Sequence, residues 1–190
     1  MLLRNIFMMA AVVLWVATAA DAATQKPVRT SQYSNTSGNG ACVSLKNQDW
    51  RCYGPQGKNS WMLDITDTGN VIFTTVRHAA MPDKGLALTG RSLGEKAEWR
   101  GQQKAGGFQA DALIVRMRPS EDDGQASELL WVVKLNKTGS CLAAVVDAKA
   151  NKEPNVLARA EADKLADKCP AKPNIGGVSS PVVLAVLSEI

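Results

Sequence analysis

The chain is poor in the residues that most metal sites and acid–base catalysts need. It has one histidine, His78, and four cysteines among 190 residues, with no Cys-x-x-Cys pair. Zinc sites are usually built from closely spaced cysteine and histidine ligands. The sequence therefore predicts no metal site. It also contains no glycine-rich phosphate loop, so no cofactor is predicted.

The chain also has only a small excess of charge of one sign. The chain carries 22 basic and 18 acidic residues, a net charge of +4, and no run of five like charges. Nucleic-acid-binding proteins usually present a basic patch, often with interleaved aromatic side chains. The interleaved charges here predict a solvated mixed surface and no nucleic-acid partner.

The only extended apolar run lies near the N-terminus. Arg4 precedes the run at 6–17, and Ala20-Asp21-Ala22 follows it as a small-x-small cleavage pattern. This arrangement is typical of a secretory signal peptide, here 1–22, and the run is too short for a comfortable membrane span. We expect a periplasmic or secreted protein with no membrane span after cleavage, the alternative being an uncleaved N-terminal anchor.

The four cysteines lie after the predicted signal peptide, at Cys42, Cys52, Cys141 and Cys169. An even number in an exported chain indicates disulfide bonds, and four cysteines allow three connectivities. Local pairs, Cys42–Cys52 and Cys141–Cys169, are favoured because they match the local elements on either side. The alternative for the second pair is two free buried thiols.

Composition divides the rest of the chain into three parts. Residues 23–41 are rich in Ser, Thr, Asn and Gly and predict a flexible lead-in. Residues 42–170 are predicted to form a single globular domain. Residues 171–190 form a tail whose apolar run at 182–187 predicts a last edge strand or a docked segment.

Hydrophobic periodicity predicts an α+β fold. Alternating segments between 48 and 147 indicate six to eight strands in hairpin order, hence a mainly antiparallel sheet or sandwich. The period changes near residue 150 and predicts one helix at about 153–168, held to the sheet by the disulfide at its end. The predicted apolar face of this helix consists of Val156, Leu157, Ala160, Leu165 and Ala166.

A Gly-x-Ser-x-Gly pattern occurs at 90–94, with Ser92 at its centre. In α/β-hydrolases such a serine stands on a strand-to-helix turn, and its histidine follows later in the chain. Here His78 precedes Ser92, and strand-like residues follow. A glycine-bounded loop is therefore the favoured interpretation, and a small secreted serine hydrolase is the alternative.

The long connection at 78–94 predicts a loop with more apolar character than solvent exposure requires. Exposed apolar loops commonly mark interaction sites. Met81, Lys84, Leu86, Leu88 and Arg91 are therefore candidates for a partner-binding loop. The alternative is that the apolar members cover one end of the core.

Arg77, Arg100, Arg116 and Arg118 are candidates for an anion-binding patch. Two pairs at alternate positions of predicted neighbouring strands, Glu98 with Arg100 and Arg116 with Arg118, each share one face of the sheet. The alternative is charge pairing across the strands, which usually contributes little.

Several stretches resemble a group of small, uncharacterised secreted bacterial proteins. They are "WRCYG" at 50–54, "SLGEKAEWR" at 92–100, "LWVVKL" at 130–135 and the segment 141–169. The resemblance implies an exported, periplasmic protein and the pairing of Cys141 with Cys169, but no activity. Because the sequence shows no nucleophile–base pair, no metal cluster and no phosphate loop, we expect a non-catalytic exported protein that binds an envelope protein or a cell-wall polymer.

Overall fold

The computed structural model describes residues 28–38, 42–47, 49–119, 127–164 and 169–188. The predicted signal peptide at 1–22 lies outside these ranges. Within them the chain forms eleven strands and two short helices. The strands are β1 (Arg29–Asn35), β2 (Cys42–Ser44), β3 (Asp49–Tyr53), β4 (Trp61–Asp67), β5 (Ile72–His78), β6 (Met81–Gly90), β7 (Ser92–Lys104), β8 (Gly107–Arg118), β9 (Leu129–Asn136), β10 (Gly139–Asp147) and β11 (Asn174–Ile175). The helices are α1 (Pro154–Lys164) and α2 (Pro181–Ser188).

The strands form two sheets that share one core. The large sheet has the order β1-β7-β8-β9-β10-β11, and the small sheet has the order β2-β3-β4-β5-β6. Every pair is antiparallel except β10–β11. The predicted β-rich α+β fold is therefore confirmed, whereas the sequence predicted fewer strands and a single helix.

The large sheet is buried on both faces. One face packs against the small sheet through residues such as Trp99, Leu113 and Val133. The other face, which includes Ile114 and Val132, packs against α1. Because successive side chains of a strand point to opposite faces, a strand covered on both sides needs apolar residues at nearly every position. This explains the continuous "LLWVV" of β9.

Helix α1 begins at Pro154, as the sequence predicted, but its buried face differs from the predicted one. Ala158 and Ala162, one turn apart, are fully buried against the sheet, whereas Val156 is 54% exposed. The small alanine side chains let the helix lie close to the strands. Residues 165–168 of the predicted helix lie outside the described ranges.

The prediction of a flexible lead-in at 23–41 is wrong for Arg29–Asn35, which form β1 at the edge of the large sheet. Composition suggested disorder because this strand buries little apolar surface of its own. Its backbone instead pairs with β7, and its polar side chains have partners there. Ser31 Oγ donates to Glu98 Oε1 at 2.5 Å, and Trp99 Nε1 donates to Ser34 Oγ at 2.8 Å.

The C-terminal residues belong to the domain rather than to a separate tail. The run at 182–187 lies in helix α2, so the predicted edge strand at that position is wrong. Ser180 Oγ accepts a hydrogen bond from Val183 N at 3.3 Å, and Pro181 occupies the first helical position, both favourable at a helix start. Val183 is fully buried in the shared core, which confirms that the segment is docked.

Both predicted disulfides are present. Cys42 and Cys52 are directly opposite each other on β2 and β3. Cys141 of β10 is bonded to Cys169, 28 residues further along the chain. No helix among the described residues has both the length and the apolar character needed to cross a membrane.

Candidate functional site

The predicted partner-binding loop is a strand. Met81–Gly90 form β6, which pairs with β5, so the prediction of a long loop at 78–94 is wrong. Leu88 is 3% exposed, and Met81 and Leu86 pack partly against the same core. Their apolar character therefore serves packing at the edge of the small sheet. Lys84 and Arg91 are exposed.

The four arginines of the predicted anion patch are divided between the two sheets, and each has a carboxylate partner. Arg77 lies on the small sheet and contacts Asp64. Arg100 contacts Asp163 of α1 at 2.6 Å. Arg116 and Arg118 share Glu128, at 2.7 and 3.0 Å. The structure therefore does not bring the four side chains together as one surface.

Asp163 is the centre of a cluster that holds α1 on the sheet. Arg100 donates from Nε and Nη2 to its two carboxylate oxygens, at 3.1 and 2.6 Å. Arg29 Nε donates to Oδ1 at 2.8 Å, and the same guanidinium contacts Asp111 of β8. Helix α1 is thus joined to β1, β7 and β8 by groups that are distant in sequence.

A second polar contact lies one turn earlier on the helix. Arg159 Nε donates to Glu98 Oε1 at 2.7 Å, and its Nη2 donates to the Tyr33 hydroxyl at 3.0 Å. Glu98 is only 8% exposed, whereas the Arg159 side chain is 38% exposed, so the carboxylate is the shielded member of the pair. These contacts with β1 and β7 explain why the helix turns Arg159 and Asp163, rather than Val156, toward the sheet.

Acid should weaken the ion pairs that attach helix α1 to the large sheet. Burial by itself raises the pKa of Asp163, but hydrogen bonds from Arg100 and Arg29 outweigh it and leave the pKa below its ordinary value. Hydrogen bonds from Arg116 and Arg118 lower the pKa of Glu128 in the same way. A carboxyl whose folded pKa is lowered stabilises the fold above its unfolded pKa, about 3.9 for Asp, and loses that contribution as the pH falls through the folded value.

We expect Asp163→Asn to lower the free energy of unfolding at pH 7 by about 2 kcal/mol, because it leaves Arg100 without its counter-charge and Arg29 with Asp111 alone. This expected loss is smaller than the roughly 3–5 kcal/mol that results from breaking a fully buried ion pair, since the Asp163 side chain is 34% exposed. Urea denaturation at pH 7 and pH 3 should show that the difference from wild type narrows in acid. Asp83→Asn, at an exposed position of β6, is the matched control. A constant difference at both pH values would contradict the prediction.

Two clefts lie at opposite ends of the β7–β8 hairpin. The first, of about 230 Å³, is lined by Ser92 and its neighbours on β7, by Arg116 to Arg118 on β8 and by Glu128. Its two arginines both donate to Glu128, so the charges of these three side chains are already paired.

The second, which we call the amide cleft, has a volume of about 400 Å³. This volume is within the range of roughly 300–1,000 Å³ that ligand sites usually have. The cleft is open to solvent and lies where the loop between β3 and β4 approaches the start of β8. Its lining consists of Gln56, Asn59, Ser60, Trp61, His78, Gln109 and Ala110.

The side chain of Gln56 connects two of the elements that line the amide cleft. Its Nε2 donates to the backbone oxygen of Phe108 at 2.5 Å, which connects the β3–β4 loop of the small sheet to β8 of the large sheet. Its Oε1 accepts the hydroxyl hydrogen of Ser60 at 2.6 Å. Both ends of the carboxamide are therefore occupied, and Gln56 positions the lining residues.

The orientation of His78 is fixed by its neighbours. Its ring lies edge-on to the buried indole of Trp61, with ring centroids 5.1 Å apart and an interplanar angle of 76°. Its Nδ1 accepts a hydrogen bond from the backbone N–H of Ala80 at 3.1 Å. The hydrogen of the neutral ring is then on Nε2, the nitrogen that remains for a ligand.

The structure places Ser92 and His78 at different clefts. Ala110 lines the amide cleft beside His78, and Arg118 lines the other cleft beside Ser92. These two residues of β8 are eight positions apart, about 26 Å along a strand. The serine beside His78 is Ser60, and its hydroxyl hydrogen is directed to Gln56.

Sequence reasoning missed Asn59 and Gln109. Asn59 lies in the segment "GPQGKNS", which is typical of a turn, and Gln109 is an ordinary polar position of a strand. Both side chains are exposed, and among the described residues neither carboxamide has a protein hydrogen-bond partner. They come together only when the loop reaches β8, about fifty residues later in the chain.

The residues that line the amide cleft thus offer two carboxamides, one imidazole nitrogen and one hydroxyl oxygen, but no charged side chain. Such a set can form hydrogen bonds with a neutral polar ligand. No protein-family model, no curated protein and no solved structure matches the chain.

Proposed function

We propose that this is a non-catalytic exported protein that binds a component of the cell envelope, a protein or a cell-wall polymer, in the amide cleft. The observation that carries the proposal is that two exposed carboxamides, Asn59 and Gln109, line one cleft, to which the described part of the chain contributes no acidic or basic side chain. Clefts with a few convergent polar groups are the usual location of ligand sites.

The disulfides support the cellular location. Disulfide bonds persist in oxidising compartments and are rare in the cytosol, so the two bonds indicate a non-cytoplasmic protein. The periplasm is the compartment we propose, because an envelope component would be within reach there.

The hydrogen-bond directions in the cleft support a binding role rather than catalysis. A serine nucleophile must donate its hydrogen to a base, and that base must be oriented by a third group. Here Ser60 donates to a carboxamide oxygen, which is too weak a base to accept the proton. His78 is oriented by a backbone amide through Nδ1, and no carboxylate lines the cleft with it.

Binding to isolated envelope fractions tests this function. The purified disulfide-bonded protein should co-sediment with the detergent-insoluble cell-wall polymer or bind the detergent-solubilised envelope proteins. The double variant Asn59→Ala, Gln109→Ala should weaken that binding by about tenfold or more, since each lost hydrogen bond contributes about 1 kcal/mol.

The matched control is Asn70→Ala, Gln103→Ala. It removes two exposed carboxamides outside the cleft, one from the β4–β5 turn and one from β7. If the two double variants bind envelope fractions equally well, the amide cleft is not the binding site and the proposal fails.

A further inference from the structure

We propose that the ligand of the amide cleft is a neutral glycan chain that carries N-acetyl groups, recognised through its acetamido group. This inference rests on the proposed function and adds the chemical class of the ligand. It follows from three properties of the lining: the absence of charge, the type of its free hydrogen-bonding groups and the small apolar surface beside them.

The first property is neutrality. Basic and acidic residues make up 21% of the chain, yet none is among the seven lining residues of this cleft. Lys58 belongs to the same loop, but its Nζ lies over the ring of Tyr53, 6.0 Å from the centroid. A charged ligand group would find no counter-charge among these lining residues. The ligand segment that enters the cleft is therefore uncharged.

The second property is the pairing of donors with acceptors. A carboxamide presents one acceptor oxygen and two donor hydrogens in a single plane. An acetamido group presents one N–H donor and one C=O acceptor, so Asn59 or Gln109 can satisfy it with one side chain. The Nε2 hydrogen of His78 and the oxygen of Ser60 remain for ring hydroxyls.

The third property is the apolar surface. The apolar members of the lining are Ala110 and Trp61, and Trp61 is only 6% exposed. Such a surface is too small to stack against a whole sugar ring, but it can cover the methyl of an acetyl group. Burying one methyl contributes about 0.8 kcal/mol.

A peptide also contains secondary amides, but it fits the cleft less well. Proteins usually bind extended peptides by adding them to the edge of a sheet, through backbone hydrogen bonds. The polar side chains of this cleft are contributed by a loop, a strand end and the start of a second strand. Side-chain carboxamides spaced across an open cleft suit the hydroxyl and acetamido groups of a glycan that continues beyond it.

Isothermal titration of the purified protein with defined oligosaccharides tests this inference. Tetra-N-acetylchitotetraose should bind at least tenfold more tightly than cellotetraose, which has the same linkage and hydroxyls in place of the acetamido groups. Chitosan tetraose, in which the same positions carry ammonium groups, should bind no better than cellotetraose. Asn59→Ala and Gln109→Ala should each weaken binding of the acetylated chain about five- to tenfold, and Asn70→Ala should leave it unchanged.

The outcomes separate this inference from the proposed function. Equal binding of the acetylated and plain chains, or binding that Asn59→Ala and Gln109→Ala leave unchanged, would overturn the assignment of an acetamido site. If the acetylated chain does not bind while envelope binding still depends on Asn59 and Gln109, the ligand class is wrong and the proposed function remains. If a peptide library competes for the cleft and the acetylated chain does not, the ligand is a protein.

Discussion

Trp99→Ala is expected to lower the free energy of unfolding by about 3–5 kcal/mol, the usual cost of removing a fully buried large aromatic side chain. Trp99 is 0% exposed and lies on β7, the second strand of the large sheet. Its indole also lies against Gly54 of the small sheet, where an added methyl group would be 3.1 Å from the ring. The substitution would therefore leave a cavity between the two sheets.

The packing and polar contributions of Trp99 can be separated. Trp99→Phe keeps most of the buried ring but removes the hydrogen bond from Nε1 to Ser34 Oγ. We expect it to cost about 1–2 kcal/mol, well below the alanine variant. Urea denaturation followed by far-ultraviolet circular dichroism measures both. A loss below about 1 kcal/mol for Trp99→Ala would contradict the assignment of this residue to the shared core.

Replacing Cys141 and Cys169 together by serine is expected to lower the free energy of unfolding by about 3–4 kcal/mol. The bond spans 28 residues, and in the chain-entropy model its removal releases that much conformational entropy in the unfolded chain. The bond also connects the chain after α1 to β10. Amide hydrogen exchange in the last turn of α1 should therefore accelerate more than exchange in β8 or β9.

The shorter bond is the control for loop length. Cys42 and Cys52 are 10 residues apart, for which the same model gives about 2.7 kcal/mol. Cys52 is fully buried, so Cys42→Ala, Cys52→Ala avoids burying a new hydroxyl group. A reductant should destabilise wild type further than it destabilises either variant. A change below about 1 kcal/mol for the Cys141 and Cys169 variant would show that the helix does not depend on this bond.

Features that depend on local sequence were predicted correctly. Alternation of apolar residues identified the strands that surround Trp61, Trp99 and Trp131, all of which are buried. The start of α1 at Pro154 agrees with the predicted start at about residue 153, and proline suits the first position of a helix. The local pairing of the cysteines was also correct, because each pair connects neighbouring elements.

Features that depend on partners distant in sequence were not predicted. The polar segment at 29–35 became a strand because β7 supplies its hydrogen bonds. The rotation of α1 depends on Arg29, Arg100 and Glu98, none of which is in the helix. The strand β6 was mistaken for a loop because Gly85 and Pro82 weaken its pattern, although Leu86 and Leu88 alternate as expected of a half-buried strand.

The amino-acid sequence by itself indicated the β-rich class of this protein and favoured the two disulfides that are present, because hydrophobic period and cysteine position can be read along the chain without its tertiary contacts. Tertiary structure alone decided which residues form the amide cleft. Gln56 and Phe108 are 52 residues apart and meet through one hydrogen bond, which brings Asn59 and His78 beside Gln109. A site of this kind has no local sequence pattern. Each of its residues is a common residue type for the turn or strand in which it occurs, and the residues become neighbours only when the two sheets pack together.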